Sequence, residues 1–162
     1  MTKRVVLMGH PVAHSLSGAM QQAAFDSLGI DATYELWDRA PMDLAAAIDE
    51  IPVLCLAAAV ADGTTTIRGA GELRHKESDR IAGIATGLAA LGANVEVDGD
   101  DLRIVGGARL RGAATDSLDD HRLAMTFAIA GLIADGDTSI ERPGSAAISY
   151  PGFFDDLERV RA

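Results

Sequence analysis

Charged side chains of both signs alternate in one short stretch of the sequence, LRHKESDRI at residues 73 to 81. An apolar run with helical spacing follows it, and the positive end of a helix dipole attracts acids and repels bases. Lys76 and Arg80 nevertheless stand one turn apart at this expected helix start, with Glu77 and Asp79 between them. Two interpretations stay open, a solvated face of mixed charge or an anion site in which bases and acids act on a phosphorylated or carboxylated substrate.

A second group of the same kind is the sequence DDHR at residues 119 to 122, which precedes a strongly apolar run. Asp119 or Asp120 as the N-cap of a helix is ordinary, since a carboxylate accepts hydrogen bonds from the first backbone amides. Arg122 in the first turn is not, because it opposes the helix dipole. Local rules are most often broken at functional sites, and two such violations favour the anion site.

We therefore predict one site with an anion-binding part and a proton-transfer part. Cationic side chains and helix-end amides would hold a phosphate and a carboxylate, and acids and a histidine would transfer protons. The predicted cations are Lys76, Arg80 and Arg122, and the predicted proton-transfer groups are Asp49, Glu77 and His121.

The overall charge limits what such a site can serve. The chain has 162 residues, a formal net charge of −10 and a sequence pI near 4.7. A phosphate-rich surface would repel it, so we expect neither a nucleic-acid partner nor a membrane partner. Any anion that binds has to be held by a local cluster of bases.

Cysteine and histidine usage indicates a cytoplasmic protein without a metal site. The single cysteine, Cys55, lies in an apolar run and is expected to be a buried, inert thiol in a reducing compartment. The N-terminus has too short an apolar core for a signal peptide, and no segment reaches the length of a membrane span. The four histidines are scattered and form no metal-ligand pattern: His10, His14, His75 and His121.

Apolar periodicity predicts an α/β fold with a change of character near residue 50. The N-terminal part reads as β-α-β-α, and the remainder as two almost wholly apolar helices with strands, an amphipathic helix and a hairpin between them. Helices that are apolar all round are expected to be buried on every side. The predicted N-terminal elements are a strand at 4–8, a helix at 17–28, a strand at 33–37 and a helix from 42 to 48. The later ones are helices at 52–61, 76–91, 122–134 and 150–160, a strand at 65–68 and a hairpin at 95–105.

An internal repeat links the two apolar helices. LAAAVADGTTTIRG near residue 56 resembles AIAGLIADGDTSIERPG near residue 128. Both run from an apolar helix through Ala-Asp-Gly into a strand with an isoleucine, Ile67 in the first copy and Ile140 in the second. Such a repeat predicts two stacked copies of one structural unit around a shared core.

Four motifs in order resemble the C-terminal quarter of 5-enolpyruvylshikimate-3-phosphate (EPSP) synthase, over about residues 49 to 162. They are DEIP from Asp49, GTTTIRGAGELRHKESDRI from Gly63, DDHRLAMTFAIAGL from Asp119 and SYPGFF from Ser149. The resemblance implies a fold of buried apolar helices and mixed sheets. It also implies transfer of the enolpyruvyl group of phosphoenolpyruvate to the 5-hydroxyl of shikimate 3-phosphate, with release of phosphate and no metal or organic cofactor.

The same resemblance implies a role for each charged residue. Lys76 would contact the shikimate phosphate substrate near its reacting hydroxyl, and Asp49 would act at that hydroxyl. Glu77 would take part in proton transfer, and His121 would line the site. Two arginines, Arg80 and Arg122, would clamp phosphoenolpyruvate.

The segment 1–48 resembles a different family, the N-terminus of shikimate dehydrogenase, with its G-x-P-x-x-H-S-x-S turn. In that family the two serines matching Ser15 and Ser17 hold the shikimate carboxylate, whereas Ser17 as a simple helix cap is the alternative. The catalytic lysine motif of that family is missing, and Arg74 stands where a dinucleotide-binding G-x-G-x-x-G needs its third glycine. The residues that match this resemblance are Gly9, Pro11, His14, Ser15 and Ser17.

We therefore expect a chimera of two shikimate-pathway segments, 1–48 and 49–162, packed as one domain. Three functional interpretations stay open: an EPSP synthase fragment with residual anion binding, an enzyme completed by another chain, and a folded protein without chemistry. A binding module for the shikimate carboxylate is a further alternative. Apolar surface left by missing neighbours favours a homodimer.

Overall fold

Two compact units make up the chain, Met1–Ile48 and Asp49–Ala162. The computed structural model describes residues 3–9, 15, 17–38 and 47–161. The boundary falls where the sequence changes character. Each unit is described by itself, and packing of both segments as one domain stays a prediction.

The described part of the first unit is a β-α-β arrangement, as the sequence predicts. Strands β1 and β2 pair in parallel, with Lys3 opposite Ala32 and Gly9 opposite Asp38, and helix α1 connects them. The helix expected from residue 42 begins outside the described residues. The bounds are β1 Lys3–Gly9, α1 Ser17–Ser27 and β2 Ala32–Asp38.

The second unit combines four helices with two small sheets. Strands β3, β4 and β5 form an antiparallel sheet in the order β3-β5-β4, and β6 pairs with β7 in parallel. The predicted hairpin is confirmed, since Asp98 pairs with Asp101 across its turn. The bounds are α2 Ile51–Val60, β3 Thr64–Ile67, α3 Arg80–Ala90, β4 Asn94–Asp98, β5 Asp101–Val105, β6 Ala114–Asp116, α4 His121–Ile133, β7 Ser139–Glu141 and α5 Phe153–Arg161, with short 3₁₀ helices at Gly71–His75 and Pro143–Ile148.

The core lies where α3 meets α2, α4 and the sheets. Glycine at position 87 makes close helix packing possible, because a β-carbon there would lie 2.1 Å from the ring of Phe127. Phe127 is fully buried against that bare face of α3. The other large, fully buried apolar side chains of this unit are Pro52, Leu73, Ile81, Ile84, Leu88, Leu91, Leu102, Ile104 and Leu123.

The expectation that both apolar helices are buried on every side is only half right. Helix α4 is buried along most of its length. Helix α2 buries Cys55, Leu56 and Ala59 but exposes Val53 and Leu54. It packs on α3, α4 and β5, and these neighbours cover one side of it only.

The repeat holds at the level of backbone structure. In each copy an apolar helix leads into a strand, a 3₁₀ helix and a second helix, as α2-β3-3₁₀-α3 and as α4-β7-3₁₀-α5. Gly63 and Gly136 stand at equivalent positions of the two copies, and both have left-handed backbones, with φ of 94° and 95°. Only glycine adopts this conformation without steric cost, which explains the shared Ala-Asp-Gly sequence.

Candidate functional site

The guanidinium of Arg80 is the centre of the charged cluster. Its side chain is 1% exposed, and each of its nitrogens donates to a different carboxylate. Nε lies 2.7 Å from Asp120 Oδ2, Nη1 lies 2.7 Å from Asp49 Oδ1, and Nη2 lies 2.6 Å from Glu77 Oε2. Burial alone lowers the pKa of Arg80, but the hydrogen bond and charge of Asp120, followed by those of the other acids, raise it above its usual value. The cation is therefore permanent, and it ties together parts of the chain that are distant in sequence.

Two aspartates start the helices that carry this cluster. Asp79 is the N-cap of α3 and accepts from the amide of Ala82 at 3.0 Å. Asp120 is the N-cap of α4 and accepts from the amide of Arg122 at 2.8 Å, so of the two predicted caps, Asp119 and Asp120, the second is the observed one. Asp120 is also fully buried and binds Arg80 through its second oxygen, so one carboxylate caps one helix and neutralises the first residue of another.

The predicted helix start at Lys76 is wrong. Helix α3 begins at Arg80, and Lys76 has extended backbone after the 3₁₀ helix Gly71–His75. The reason is Asp79, whose side chain binds the amide of Ala82 and fixes the cap three residues beyond Lys76. Lys76 and Glu77 thus project from a connecting segment.

Lys76 and Asp49 form a looser part of the same cluster. The ammonium of Lys76 lies 3.5 Å from Asp49 Oδ1 and 3.9 Å from Glu72 Oε1. Burial alone raises the pKa of Asp49, but the hydrogen bond from Arg80 and the charges of Lys76 and Arg80 outweigh it and hold that pKa below its usual value. Asp49 is accordingly a carboxylate that stays ionised near neutral pH.

His121 and Arg122 occupy the first turn of α4, beside this cluster. Nη1 of Arg122 binds the carboxylate of Glu50, the neighbour of Asp49. Among the described residues, Nε of Arg122 and Nδ1 of His121 are buried atoms without a hydrogen-bond partner. A pocket of about 180 Å³ opens between the starts of α2 and α4, and its lining includes Asp49, Glu50, Pro52, Val53 and Arg122.

The structure brings most of the predicted site residues together. Asp49, Lys76, Glu77 and Arg80 are directly connected, and Arg122 joins them through the Asp49–Glu50 pair. His121 follows Asp120 in the chain. The two predicted serines belong to the other unit: Ser15 is half-buried, and Ser17 is the first residue of α1.

Sequence reasoning missed the part that Asp120 plays beyond capping. The available signal was Arg80 itself, since a buried arginine at a helix start requires a buried acid. The partner lies far along the chain, and no local pattern identifies it.

Neither a metal-ligand group nor a membrane-spanning helix occurs among the described residues. Within 3–9, 15, 17–38 and 47–161, no group of three or more histidine, cysteine, aspartate or glutamate side chains is arranged to hold a metal ion. None of the helices in these ranges combines the length and the apolar character that crossing a bilayer demands.

The low pKa of Asp49 predicts how stability depends on acid. A carboxyl group whose pKa is lower in the folded than in the unfolded state stabilises the fold above its unfolded pKa, and this contribution is lost as the pH falls through the folded value. Asp49→Asn removes this contribution, so unfolding by urea between about pH 6 and pH 2 should show a shallower acid dependence in the variant than in the wild type. Identical pH dependence in both proteins would contradict this assignment.

Comparison with known proteins places this chain in a family. The sequence model of the family described as EPSP synthase (3-phosphoshikimate 1-carboxyvinyltransferase) matches residues 5–157. Enzymes named 3-phosphoshikimate 1-carboxyvinyltransferase are 61% identical over 113 residues in Roseiflexus sp. (strain RS-1) and 55% identical over 114 residues in Gloeobacter violaceus (strain ATCC 29082 / PCC 7421). Each alignment covers 70% of this chain and 26% of the relative, so the chain spans about a quarter of the length of the curated relatives it matches.

Solved structures show the same similarity. An EPSP synthase from Acinetobacter baumannii superposes with a TM-score of 0.66 at 40% identity, covering 70% of this chain and 27% of that one. The enolpyruvyl transferase NikO from Streptomyces tendae gives a TM-score of 0.56 at 30% identity, covering 68% and 24%. The predicted EPSP synthase-like α/β fold is confirmed, whereas the resemblance of residues 1 to 48 to shikimate dehydrogenase stays a prediction. With a family match over most of its length and these relatives beside it, the chain belongs to the EPSP synthase family.

Proposed function

We propose that this chain forms part of an active site that transfers the enolpyruvyl group of phosphoenolpyruvate to the 5-hydroxyl of shikimate 3-phosphate, and that the chain alone is inactive. The observation that carries the proposal is the Arg80 cluster. It collects Asp49, Lys76 and Glu77 around one buried cation, and these are residues to which the family resemblance gives roles.

Lys76 and Arg122 are the cations available to an anionic ligand. The contacts of Lys76 are long, and its side chain is 22% exposed. Arg122 is 28% exposed and has an unpartnered Nε among the described residues. Arg80 is engaged by three carboxylates, so it would touch a ligand only if a phosphate displaced Glu77, which is half exposed. We therefore assign ligand binding to Lys76 and Arg122 and the ordering of the site to Arg80.

Asp49, Glu77 and His121 are assigned to proton transfer and hydroxyl binding. Asp49 stays ionised because its pKa is held down, which makes it an acceptor for the hydrogen bond of a substrate hydroxyl. Nδ1 of His121 has no hydrogen-bond partner in the described part of the chain, and we assign a proton-transfer role to this histidine.

Local charge explains why we expect weak binding and no turnover. Three cations, Lys76, Arg80 and Arg122, face five carboxylates, which leaves a net charge of −2 (3 minus 5). The carboxylates are those of Asp49, Glu50, Glu72, Glu77 and Asp120. Holding two substrates together accounts for roughly 7–11 kcal/mol of barrier lowering. It requires protein side chains that contact each of the two substrates. The matched region is 26% of the Roseiflexus relative, and we expect the further substrate-binding groups to correspond to the rest of that relative.

Binding of phosphoenolpyruvate, or of phosphate alone, is the direct test. We expect saturable NMR shifts around Lys76 and Arg122 at low salt, with a dissociation constant of roughly millimolar, because two or three charge-assisted contacts are offset by the cost of association. Arg122→Ala should abolish the shifts. No turnover of phosphoenolpyruvate with shikimate 3-phosphate is expected.

Arg103→Ala provides the matched control. Arg103 lies on strand β5 and pairs with Glu96 at 2.9 Å on the exposed side of the hairpin, so the variant removes the same charge at a distance from the cluster. The proposal fails if wild-type shifts are absent at tens of millimolar ligand, or if both variants lose binding equally.

A second function, binding of a shikimate-like carboxylate by Ser15 and Ser17, is favoured by the parallel β-α-β arrangement of the first unit. Hydroxyl groups at a helix start can donate to a carboxylate. In calorimetric titrations with shikimate we expect heat from the wild type and none from the double variant Ser15→Ala/Ser17→Ala. Equal heats would exclude this function.

We also propose that the chain forms a homodimer through the apolar face of α2. Val53, Leu54 and Val60 are exposed on this helix, and contiguous exposed apolar surface on a soluble protein usually marks an interface. Light scattering should give about twice the chain mass of 16.9 kDa. A single-chain mass at all concentrations would rule the dimer out.

A further inference from the structure

The turn before α4 has an unusual backbone. Leu118 and Asp119 are consecutive residues with positive φ, 55° and 59°, although neither is glycine. Such a conformation is sterically unfavourable for side-chain-bearing residues and persists only where surrounding contacts impose it. The next residue is Asp120, which caps α4 and binds Arg80. Whatever fixes this turn therefore also fixes the charged cluster.

Arg142 supplies contacts on both sides of the turn. Its guanidinium is bidentate on Asp116, with Nε 3.0 Å from Oδ1, and Nη1 lies 3.2 Å from Asp119 Oδ2. Asp116 Oδ1 in turn accepts from the amide of Leu118 at 2.9 Å. The carbonyl oxygen of Arg142 accepts from the hydroxyl of Ser117 at 2.9 Å.

The backbone of Arg142 is itself left-handed, with φ of 56°. Its counterpart in the first copy of the repeat is Gly69, which follows Ile67 at the same spacing as Arg142 follows Ile140 and has φ of 67°. Glycine fits this conformation and arginine does not, so the arginine costs stability where the other copy avoids the cost. The compensating gain has to lie in what its side chain holds.

We propose that Arg142 is a positioning residue for the anion site. The Arg142 side chain fixes the conformation of the turn from Asp116 to Asp119. Because Asp120 follows this turn, Arg142 also fixes the orientation of the His121 and Arg122 side chains in the first turn of α4. It makes no contact with the ligand. The inference rests on the proposed function, because its consequence is the anion affinity of Arg122.

Arg142→Gly separates this role from a structural one. Glycine keeps the left-handed backbone and the carbonyl that Ser117 binds, and it removes only the guanidinium. We expect an unchanged or higher midpoint of thermal unfolding together with shifted amide signals from Asp119 to Arg122. The dissociation constant for phosphate should rise about tenfold, comparable to the loss of an outer-shell partner at a metal site.

Three further variants complete the experiment. Arg142→Lys should restore binding only in part, because an ammonium cannot make the bidentate contact. Asp119→Gly removes the partner on the turn and relieves its backbone, so it should move the same amide signals. Arg159→Ala removes an exposed arginine of α5 that pairs with Asp156, and it should change neither readout.

The two proposals fail separately. Unchanged amide signals from Asp119 to Arg122 in both glycine variants, or wild-type phosphate affinity in Arg142→Gly, would overturn the role of Arg142. A lower midpoint of unfolding in Arg142→Gly would show that the guanidinium serves stability and would also overturn it. Absence of phosphate binding in the wild type refutes the proposed function, while the amide signals still test whether Arg142 fixes the turn.

Discussion

A guanidinium buried at the start of a helix is the constraint on which this structure depends. Removing a cation from water costs several kcal/mol unless it is paired and hydrogen-bonded, and the dipole of α3 adds to that cost for Arg80. Three carboxylates compensate, and they come from the segment before α2, from the connection before α3 and from the start of α4. Satisfying this one side chain therefore fixes the relative positions of three helix starts.

The same constraint suggests different roles for the three cationic side chains. Arg80 is saturated by acids and shielded from solvent, so in the proposed function it orders the site, and we assign contact with a ligand to Lys76 and Arg122. The acids that Arg80 requires also lower the local potential, so the cluster attracts anions weakly on its own. Under the proposed function we expect a complete site to contain further cations; the chain spans about a quarter of the length of its relatives.

The two copies of the repeat share their backbone structure but not their charged residues. Backbone elements recur in the second copy, down to the paired left-handed glycines Gly63 and Gly136. The charges do not recur: at the same offset, Phe153 stands at the position equivalent to Arg80 and Ser149 at that of Lys76. One structural unit is used twice. Among its described residues the second copy has no charged cluster of this kind, and it has Arg142 where the first copy has Gly69.

Sequence reasoning recovers what is encoded locally. The hairpin and an aspartate cap at Asp119 or Asp120 follow from short-range patterns, and the repeat follows from two similar segments. The structure has all three. Sequence reasoning fails where particular tertiary contacts determine a helix boundary or the burial of a helix face. Helix α3 starts at Arg80 because Asp79 caps it, and the exposed side of α2 depends on which neighbours are present rather than on its own composition. The pairing of Arg80 with Asp120 and the left-handed turn at Leu118 have no local signal, because the partners are distant in sequence and no glycine marks the turn. The charged residues that meet around Arg80 are identifiable from their types, whereas the contacts that orient them are not.

A double-mutant cycle between Arg80 and Asp120 tests the central claim most directly. Arg80→Met removes the cation, and Asp120→Asn removes the charge while keeping a side chain that caps helices equally well. If the buried pair organises the site, each single variant should lose about 3 kcal/mol of unfolding free energy, and the double variant should lose little more than one of them, with a coupling energy of about 2 kcal/mol or more. Additive losses to within about 0.5 kcal/mol would contradict the account, because the two side chains would then be independent.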